Sequence, residues 1–399
     1  GVFSGPLWYY FSAIGFGLFE GHPFGGVFML IVLNTLLLGW IMLKIKKNVS
    51  EKAALLVGTM LLTSWGFYEP SRYSFNPFPL VAVAFLMIIF LVDFLLGSRK
   101  SFILAAIPLG FGLNSELAGA TALTSFYVLT GIFLLLKKRL KIKYFISGIL
   151  VLSLFLIPHA ASEISTGFSQ YQAFIKEFND PVGTFSGTNI PHITQRFLAI
   201  ISRSTLRQIP ELGIFLFGLC LYLFLAKSAK RKKVNRFSYY FVKLSLGVLF
   251  VSWIFFSLNK GWRDWHTVYL SPLIFVSFLL TLTELPRKIA ILMLIISLFS
   301  HLVIFTSRYA QYFTPSDDQS LLNNELRAID WVYSNAKGQG FRVYSYLPSV
   351  LDYPYQYLFW WYGRKKYGYL PCEYASYPGA PKLFVPGRDF YENPKRKCL

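Results

Sequence analysis

Polar side chains able to do chemistry gather in a few short segments between long apolar runs of this sequence. They are Glu69, Arg72, Asn76, Asn114, Glu116, His159, Glu163, Arg263, Asp264, His266 and Tyr269, with Lys260 and Trp262 beside the last four. Ionisable groups at a membrane boundary are costly to place and are therefore candidates for function. We predict that these side chains form a substrate-binding site on one face of a membrane.

Arg72 and Arg263 are the most suggestive members of this set. A guanidinium group can hold a phosphate through paired hydrogen bonds, and neighbouring Tyr and Trp rings can stack on a sugar or an isoprenoid. This combination favours a lipid-linked phosphosugar as substrate. Tyr and Trp are also enriched at membrane interfaces in general, so the aromatic residues alone fit an ordinary interface equally well.

Structural explanations compete with the functional one at several of these positions. Glu69 and Arg72 lie three residues apart and could simply pair with each other in a loop. Asn114 and Glu116 lie where two apolar runs meet with almost no loop. They therefore cannot move far from the membrane, which favours a role in the site.

The histidines and Asp93 lead to weaker expectations. His159 and His266 are more typical of an interface than of a metal site, because no HxxxH, CxxC or paired-carboxylate spacing accompanies them. We therefore predict no metal and no cofactor. Asp93 lies near the end of an apolar run, where we expect it to reach water or a basic neighbour.

The elements that must position these residues are membrane spans. The chain has 399 residues, of which 54% are hydrophobic, 19% aromatic and only 15% charged, and its apolar runs approach the twenty or so residues that cross a bilayer. We predict an all-α polytopic membrane protein with about ten spans. They cover residues 25–43, 52–67, 78–97, 101–113, 117–136, 143–158, 211–226, 238–258, 267–283 and 288–306.

The basic residues predict how the chain is oriented. The formal net charge of +20 comes largely from Lys and Arg beside the apolar runs, so we do not expect nucleic acid as a partner. They concentrate in alternate loops, at 44–52, 99–100, 137–143, 227–236 and 287–288. Basic loops remain in the cytoplasm, which predicts a multi-pass protein of the cell membrane with the other loops, and the C-terminal tail, outside.

The segment 158–210 is the longest interruption among the spans and has two amphipathic pieces. Their apolar positions are Ile164, Phe168, Tyr171, Phe174 and Phe178 in the first piece, and Ile193, Phe197, Ile200 and Ile201 in the second. Such segments lie at a lipid interface or close over a cleft, and a structural cap fits about as well. Residues 7–19 predict a further helix on the outer surface. The chain begins at Gly1, and the parity of the spans predicts another span before it.

Residues 307–399 form a polar tail that we expect to be a small exported α/β appendage. An amphipathic helix, a Gly turn and a short strand are predicted at its start. Cys220 lies in an apolar run, whereas Cys372 and Cys398 share the tail. These two could form a disulfide if the tail is exported, and free thiols are the alternative.

Four stretches together resemble bacterial GT-C membrane glycosyltransferases, in particular the protein O-mannosyltransferase and aminoarabinose transferase group. The stretches are GPLWYYFSAIGFGLFEG, SRYSFNPFPLVAVAFLMIIFLV, IPHAASEISTGF and WHTVYLSPLIFVSFLL. The resemblance covers most of residues 1–306 and implies a multi-span bundle. Its outer cavity would take a polyprenyl-phosphate sugar and pass the sugar to an envelope lipid, glycan or protein, with 158–210 as a mobile loop.

The resemblance also implies an inverting mechanism. An acidic residue in the first outer loop deprotonates the acceptor hydroxyl, and basic side chains stabilise the lipid phosphate as it leaves. The acidic residue would precede Gly1, and Glu69 is not its equivalent by position. We expect Arg72 and Arg263 to stabilise the lipid phosphate.

Two other readings fit the same sequence. A transporter or flippase of lipid-linked sugars would also have many spans and an outer polar cavity. Its polar groups should lie near the midplane of several spans, whereas here they concentrate at the outer ends. A structural membrane component of envelope assembly is the third possibility.

Overall fold

The computed structural model of the protein describes residues 5–165, 167–168, 172, 190–229, 234–258, 263–314, 321–344 and 353–375. The chain divides into two compact units, Gly1–Ala310 and Gln311–Leu399. The boundary predicted from the sequence lies between residues 306 and 307. Each unit is described separately.

The first unit is built from helices. They are α1 (Pro6–Leu18), α2 (Phe24–Asn48), α3 (Glu51–Thr63), α4 (Trp65–Tyr68), α5 (Leu80–Leu95), α6 (Ser101–Leu104), α7 (Ala106–Ser115), α8 (Leu117–Leu136), α9 (Ile142–Ser165), α10 (Ile190–Arg203), α11 (Pro210–Ala229), α12 (Arg236–Leu258), α13 (Leu270–Leu282) and α14 (Arg287–Phe313). Short 3₁₀ turns occupy Glu69–Ser71 and Asp264–Thr267.

Helices occupy most of each apolar run predicted to span the membrane, with breaks inside 52–67 and 101–113, in agreement with the predicted polytopic helical membrane protein. Among the described residues, 7 helices are long and apolar enough to cross a bilayer. They are Phe24–Asn48, Leu117–Leu136, Ile142–Ser165, Pro210–Ala229, Arg236–Leu258, Asp264–Leu282 and Arg287–Gln311. Leu80–Leu95 and Ser101–Ser115 are shorter apolar segments, and α3 has 13 residues. The exact number of spans stays a prediction.

Helices α5 and α13 form the centre of the first unit. Nearly all of their residues are buried, including both Leu80 and Leu279 at 0% exposure. A helix that is apolar all round belongs in an interior, and α5 contacts α2, α7, α12 and α13. Both helices are therefore surrounded by other helices of the first unit.

Helix α1 crosses α2 at a close approach of their backbones. A Cβ atom added at Gly15 would lie 2.0 Å from the carbonyl oxygen of Gly25, so only glycine fits there. The opposite side of α1 exposes large apolar side chains, among them Tyr10, Ile14 and Leu18. This exposed face suits the surface helix predicted for residues 7–19.

A side chain from α7 supports the proline-containing part of α9. Pro158 lies inside α9, where a missing N–H leaves the carbonyl of Leu154 without its helical donor. One residue along, the amide of Asn114 donates to the carbonyl of Phe155 at 2.9 Å. The hydrogen bond joins α7 to α9 beside the defect.

Ion pairs tie helix ends together at the basic end of the first unit. Lys44 Nζ lies 2.5 Å from Asp93 Oδ2, so the predicted basic neighbour of Asp93 is present. Lys227 Nζ lies 3.1 Å from Glu284 Oε2. The backbone N–H of Asn235 donates to the same carboxylate at 3.2 Å.

The second unit combines short helices with a two-stranded parallel sheet. Its elements are α15 (Leu322–Ala336), β1 (Arg342–Tyr344), α16 (Tyr353–Leu358), a π-helical turn at Phe359–Gly363, α17 (Arg364–Tyr367) and β2 (Glu373–Ala375). In the sheet, Arg342, Val343 and Tyr344 pair with Glu373, Tyr374 and Ala375 respectively. The unit encloses a small aromatic core around Tyr333, Phe359 and Tyr369.

A charged cluster joins α15 to α17 on the surface of this unit. Asp330 accepts hydrogen bonds from Lys366, Tyr367 and Tyr362 at 2.7–3.1 Å. Partial burial of Asp330 works against its charge, but these hydrogen bonds prevail and hold its pKa below the ordinary value. The cluster fixes the two helices together.

Some sequence expectations fall outside the described residues. Tyr171, Phe174 and Phe178 of the first amphipathic piece are among them, as are Lys260, Trp262 and Cys398. Cys220 is a buried free thiol. Cys372 is disulfide-bonded.

Candidate active site

A cavity of about 380 Å³ opens in the first unit and is lined by four arginines. The segment 64–78, α10 and the turn after it, the segment 264–271 and α14 surround it. The lining residues that matter below are Trp65, Glu69, Tyr73, Phe75, Arg196, Arg203, Arg207, Asp264, Trp265, His301 and Arg308. We refer to this space as the arginine cavity.

Helix α10 brings two of the arginines to the cavity. Arg196 and Arg203 are seven residues apart, so they lie on the same face two turns from each other. Ile193 and Phe197, two of the apolar positions of this amphipathic segment, are buried beside them. On the same helix, Thr194 accepts a hydrogen bond from the indole N–H of a tryptophan on α12 at 3.0 Å. Packing of the apolar face therefore fixes which way the arginines point.

Hydrogen bonds hold the turn that follows α10 against α14. The backbone N–H of Arg207 donates to Ser300 Oγ at 3.1 Å. Ser300 Oγ donates to Gln208 Oε1 at 2.5 Å, and Gln208 Nε2 donates back to the Ser300 carbonyl at 3.1 Å. Helix α14 itself supplies Arg308 to the cavity. The last two arginines thus come from elements tied directly to each other.

The charges in the arginine cavity are not balanced among themselves. Arg196 lies 3.4 Å from Asp264 Oδ2. In the part of the chain that the structure describes, the guanidinium groups of Arg203, Arg207 and Arg308 form no ion pair, and neither does the Glu69 carboxylate. Four guanidinium groups against two carboxylates leave two net positive charges.

Arg207 is the partly buried cation of this cavity whose pKa is shifted. Desolvation lowers the pKa of Arg207, the positive charges of Arg203 and Arg308 lower it further, and Glu69 opposes them. An arginine remains charged despite such a shift, since its ordinary pKa is above 12. A partly buried cation without a counter-ion is an arrangement that an anionic ligand would stabilise.

His301 adds a buried polar atom to the same wall. Its side chain is only 5% exposed, and its ring lies 4.3 Å from the ring of Phe275 between centroids. Its Nε2 atom has no hydrogen-bond partner among the described residues. Phe75 and Trp265 pack edge to face at 6.0 Å on another side. The cavity thus offers cations, one imidazole and aromatic rings to a ligand.

A second cavity of about 450 Å³ lies on the other side of the segment Tyr68–Tyr73. It is lined by Val27, Ile31, Asn34, Thr35, Leu38, Leu62, Phe67, Tyr68, Ser71 and Arg72. Within the segment, Glu69, Pro70 and Tyr73 line the arginine cavity, whereas Tyr68, Ser71 and Arg72 line the second cavity. We call this segment the dividing wall.

The residues predicted for the site are distributed over several places. Glu69 and Asp264 line the arginine cavity. Arg72 lines the second cavity, with its guanidinium carbon 5.3 Å from the ring centre of Trp65, and burial lowers its pKa. Arg263 is not among the lining residues, and its backbone N–H donates to His266 Nδ1 at 3.3 Å.

Asn76, Glu116 and His266 meet at the junction of α7 and α8. Asn76 Nδ2 donates to the carbonyl of Ser115 at 3.0 Å, and Glu116 caps α8 by accepting from the backbone N–H groups of Ala118 and Gly119 at 3.0 and 2.6 Å. His266 Nε2 lies 3.7 Å from Glu116 Oε1. Burial raises the pKa of Glu116, and the two backbone hydrogen bonds oppose the rise.

The remaining predicted residues hold structural positions away from the arginine cavity. Asn114 is fully buried and donates to two backbone carbonyls, one of them on α9. Tyr269 is fully buried and shares a hydrogen bond of 2.8 Å with Ser252. His159 and Glu163 lie on α9, and the imidazole of His159 packs against Gly5.

Sequence reasoning missed most of the cavity's basic residues. It did not single out Arg196, Arg203, Arg207, Arg308 or His301. The seven-residue spacing of Arg196 and Arg203 on the polar face of an amphipathic segment was the available signal. Nothing in the sequence links these positions to Arg308, which lies a hundred residues away in the chain.

The fold and the cavity together define a multi-span helical membrane protein with a cationic cavity in its bundle. No protein-family model matches the sequence, and no curated protein shows a significant sequence match. Two solved structures are similar in fold, and both are of ArnT from Cupriavidus metallidurans.

The similarity to ArnT is extensive in three dimensions and slight in sequence. The structure of ArnT bound to undecaprenyl phosphate has a TM-score of 0.54 and 14% sequence identity, covering 84% of this chain and 60% of the ArnT chain. The apo structure has a TM-score of 0.53 and 15% identity, covering 84% and 59%. This chain therefore spans about three fifths of ArnT. At this level of identity the similarity shows a shared fold, and the narrower O-mannosyltransferase grouping is not shown.

Proposed function

We propose that the protein is an integral membrane glycosyltransferase that transfers a sugar from a polyprenyl-phosphate donor to an acceptor of the cell envelope. One observation carries the proposal: the same cavity is lined by three arginines and one carboxylate that form no ion pair within the described part of the chain. Guanidinium groups of this kind can bind a phosphate, and a carboxylate beside them can accept a hydrogen bond from a hydroxyl group.

Arg203, Arg207 and Arg308 take the role of phosphate ligands in this proposal. When the glycosidic bond breaks, negative charge grows on the departing lipid phosphate, and guanidinium groups held in place stabilise that charge. The role that the sequence suggested for Arg72 and Arg263 thus passes to other arginines. Arg207 is the best placed of them, because it is partly buried and its backbone is fixed to α14.

Glu69 and the aromatic rings would orient the sugar and the acceptor. The Glu69 carboxylate can accept hydrogen bonds from hydroxyl groups, while Trp65 and Trp265 offer flat apolar surfaces to a sugar ring. A volume of about 380 Å³ falls within the range of small-molecule sites.

The comparison with ArnT supports the class of donor. One of the two ArnT structures holds undecaprenyl phosphate, and we extend a polyprenyl phosphate to this chain because its own cavity is cationic. The transferred group would be a hexosyl or pentosyl unit. The acceptor would be an envelope lipid, glycan or protein on the outer face, where we also place the loop 158–210 and the second unit.

The test is transfer of radiolabelled sugar from a polyprenyl-phosphate donor in membranes carrying the full-length gene product. We expect Arg203→Gln and Arg207→Gln each to lower transfer by about tenfold to a hundredfold, the effect of losing one charge-assisted hydrogen bond. Arg99→Gln is the matched control, since Arg99 is an exposed residue outside both cavities. Unchanged transfer in the two cavity variants would refute the assignment.

The same membranes separate an enzyme from a transporter. A fluorescent lipid-linked sugar that crosses the bilayer without any transfer would identify a flippase. Transfer without such movement supports the glycosyltransferase.

A further inference from the structure

The second cavity runs along one face of α2. Val27, Ile31, Asn34 and Leu38 line it at helical spacing, and Leu62 stands on α3. From Val27 to Leu38 the helix rises by about 16 Å, at roughly 1.5 Å per residue. A volume of about 450 Å³ with aliphatic side chains along α2 and α3 suits a hydrocarbon chain.

The middle of this cavity is polar. Asn34 is only 3% exposed, and its Nδ2 donates to Ser71 Oγ at 2.8 Å. Its Oδ1 atom has no hydrogen-bond partner among the described residues. A buried acceptor of this kind points to a ligand that carries a donor. Next to Ser71, Arg72 contributes a guanidinium group to the same cavity.

We propose that the second cavity binds a membrane phospholipid of the phosphatidylglycerol class. Arg72 would hold the phosphate, a glycerol hydroxyl of the headgroup would donate to Asn34 Oδ1, and one acyl chain would lie against Ile31, Leu38 and Leu62. This inference stands on the second cavity alone and does not depend on the proposed transfer reaction.

Arg72 and Asn34 together favour this lipid over two others that a bilayer could supply. A polyprenyl phosphate would satisfy Arg72, but its hydrocarbon has no donor for Asn34. Phosphatidylcholine carries a quaternary ammonium group without any N–H or O–H, and its cation would face the charge of Arg72. An anionic headgroup with hydroxyl groups satisfies both residues.

The experiment measures lipid retained by the purified full-length protein after extraction from bilayers that contain equal parts phosphatidylglycerol and phosphatidylcholine, by native mass spectrometry. We expect retained phosphatidylglycerol to fall by about tenfold in Arg72→Gln and in Asn34→Leu, since each loses a hydrogen bond to the lipid. Leu38→Trp keeps both polar residues but fills the apolar part, and it should also lose the lipid.

Arg99→Gln is the control, because Arg99 is exposed and lies outside both cavities, and it should leave phosphatidylglycerol retention as in the wild type. Equal retention of phosphatidylcholine would overturn the headgroup assignment. Displacement of phosphatidylglycerol by undecaprenyl phosphate would overturn the site, since the second cavity would then belong to a polyprenyl lipid. Sugar transfer is measured separately, so either proposal can fail without the other.

Discussion

Arg207 shows how much the choice of cation matters in the arginine cavity. Burial and two neighbouring arginines lower its pKa, yet a guanidinium group tolerates the shift and keeps its charge. A lysine in the same place would experience the same desolvation and repulsion. Because an ammonium group starts from a lower pKa, it would lose its proton more readily.

This difference predicts a new pH dependence. Wild-type binding of undecaprenyl phosphate should vary little between about pH 7 and pH 9, because arginine does not titrate there. In Arg207→Lys the affinity should fall as the pH rises, as the lysine loses its charge. The measurement is the dissociation constant of the purified protein across this range. Parallel curves for both proteins would show that the position is not desolvated by its neighbours.

The Glu116 carboxylate caps the N-terminus of α8. Its pKa is raised mainly by burial, so the folded state binds a proton more tightly than the unfolded chain. The stabilisation from the protonated form is then complete below the ordinary pKa of 4.5 and is lost as the pH rises through the raised value.

Two substitutions at Glu116 separate charge from capping. Glu116→Gln keeps an acceptor for the helix N-terminus and should flatten the pH dependence of the thermal midpoint in detergent. Glu116→Ala removes the acceptor and should be less stable than Glu116→Gln by about 1 kcal/mol at every pH, the usual effect of losing a helix cap. Equal thermal midpoints for the Ala and Gln variants would mean that the hydrogen bonds to Ala118 and Gly119 do not contribute to stability.

At the residue scale, the sequence predicted the kinds of side chain better than their positions. Glu69 and Asp264 were chosen as polar residues at the outer ends of spans, and both line the arginine cavity. Arg72 was chosen by the same rule but faces the second cavity. In a short turn, tertiary packing decides which side each side chain faces. A loop sequence has no periodicity from which that side could be predicted.

At the scale of elements, the crossing of α1 and α2 offers a sharp test of packing. An added Cβ at Gly15 would overlap the carbonyl of Gly25, whereas one at Gly17 would meet nothing within 4 Å. Gly17→Ala should therefore leave the free energy of unfolding unchanged or raise it by up to about 1 kcal/mol from helix propensity, with the thermal midpoint following.

Gly15→Ala should lower the midpoint, because the two helices must move apart. Both variants introduce the same methyl group in the same helix, so propensity cancels between them. Equal midpoints for the two would mean that α1 does not rest on α2 at this point.

The sequence located the helices well because a membrane span must be apolar along its whole length. It erred where packing breaks a continuous apolar run. Residues 52–67 were predicted as one span, but α3 ends at Thr63 and Ser64 adopts an extended backbone before α4. That break leads the chain into the dividing wall. An apolar pattern alone cannot reveal such a break, since Leu61 before it and Trp65 after it are both apolar and buried.

At the scale of the whole molecule, orientation in the membrane rests on the distribution of Lys and Arg. We predict that the loop around Lys138 is cytoplasmic and that the second unit is outside. Lys138 and Trp331 are both exposed, so Lys138→Cys and Trp331→Cys can report on the two sides. In intact cells, a membrane-impermeant thiol reagent should label Trp331→Cys and spare Lys138→Cys. The reverse pattern would invert the topology and place the arginine cavity on the cytoplasmic side.

The dividing wall has a thermodynamic consequence. The dividing wall has three side chains on each cavity, so a backbone shift on binding one ligand would also move groups that face the other. If a bound phospholipid alters the affinity for the sugar donor by some factor, the donor must alter the affinity for the phospholipid by the same factor. The composition of the surrounding bilayer would then set the concentration of donor at which the protein works, although the lipid itself is never consumed.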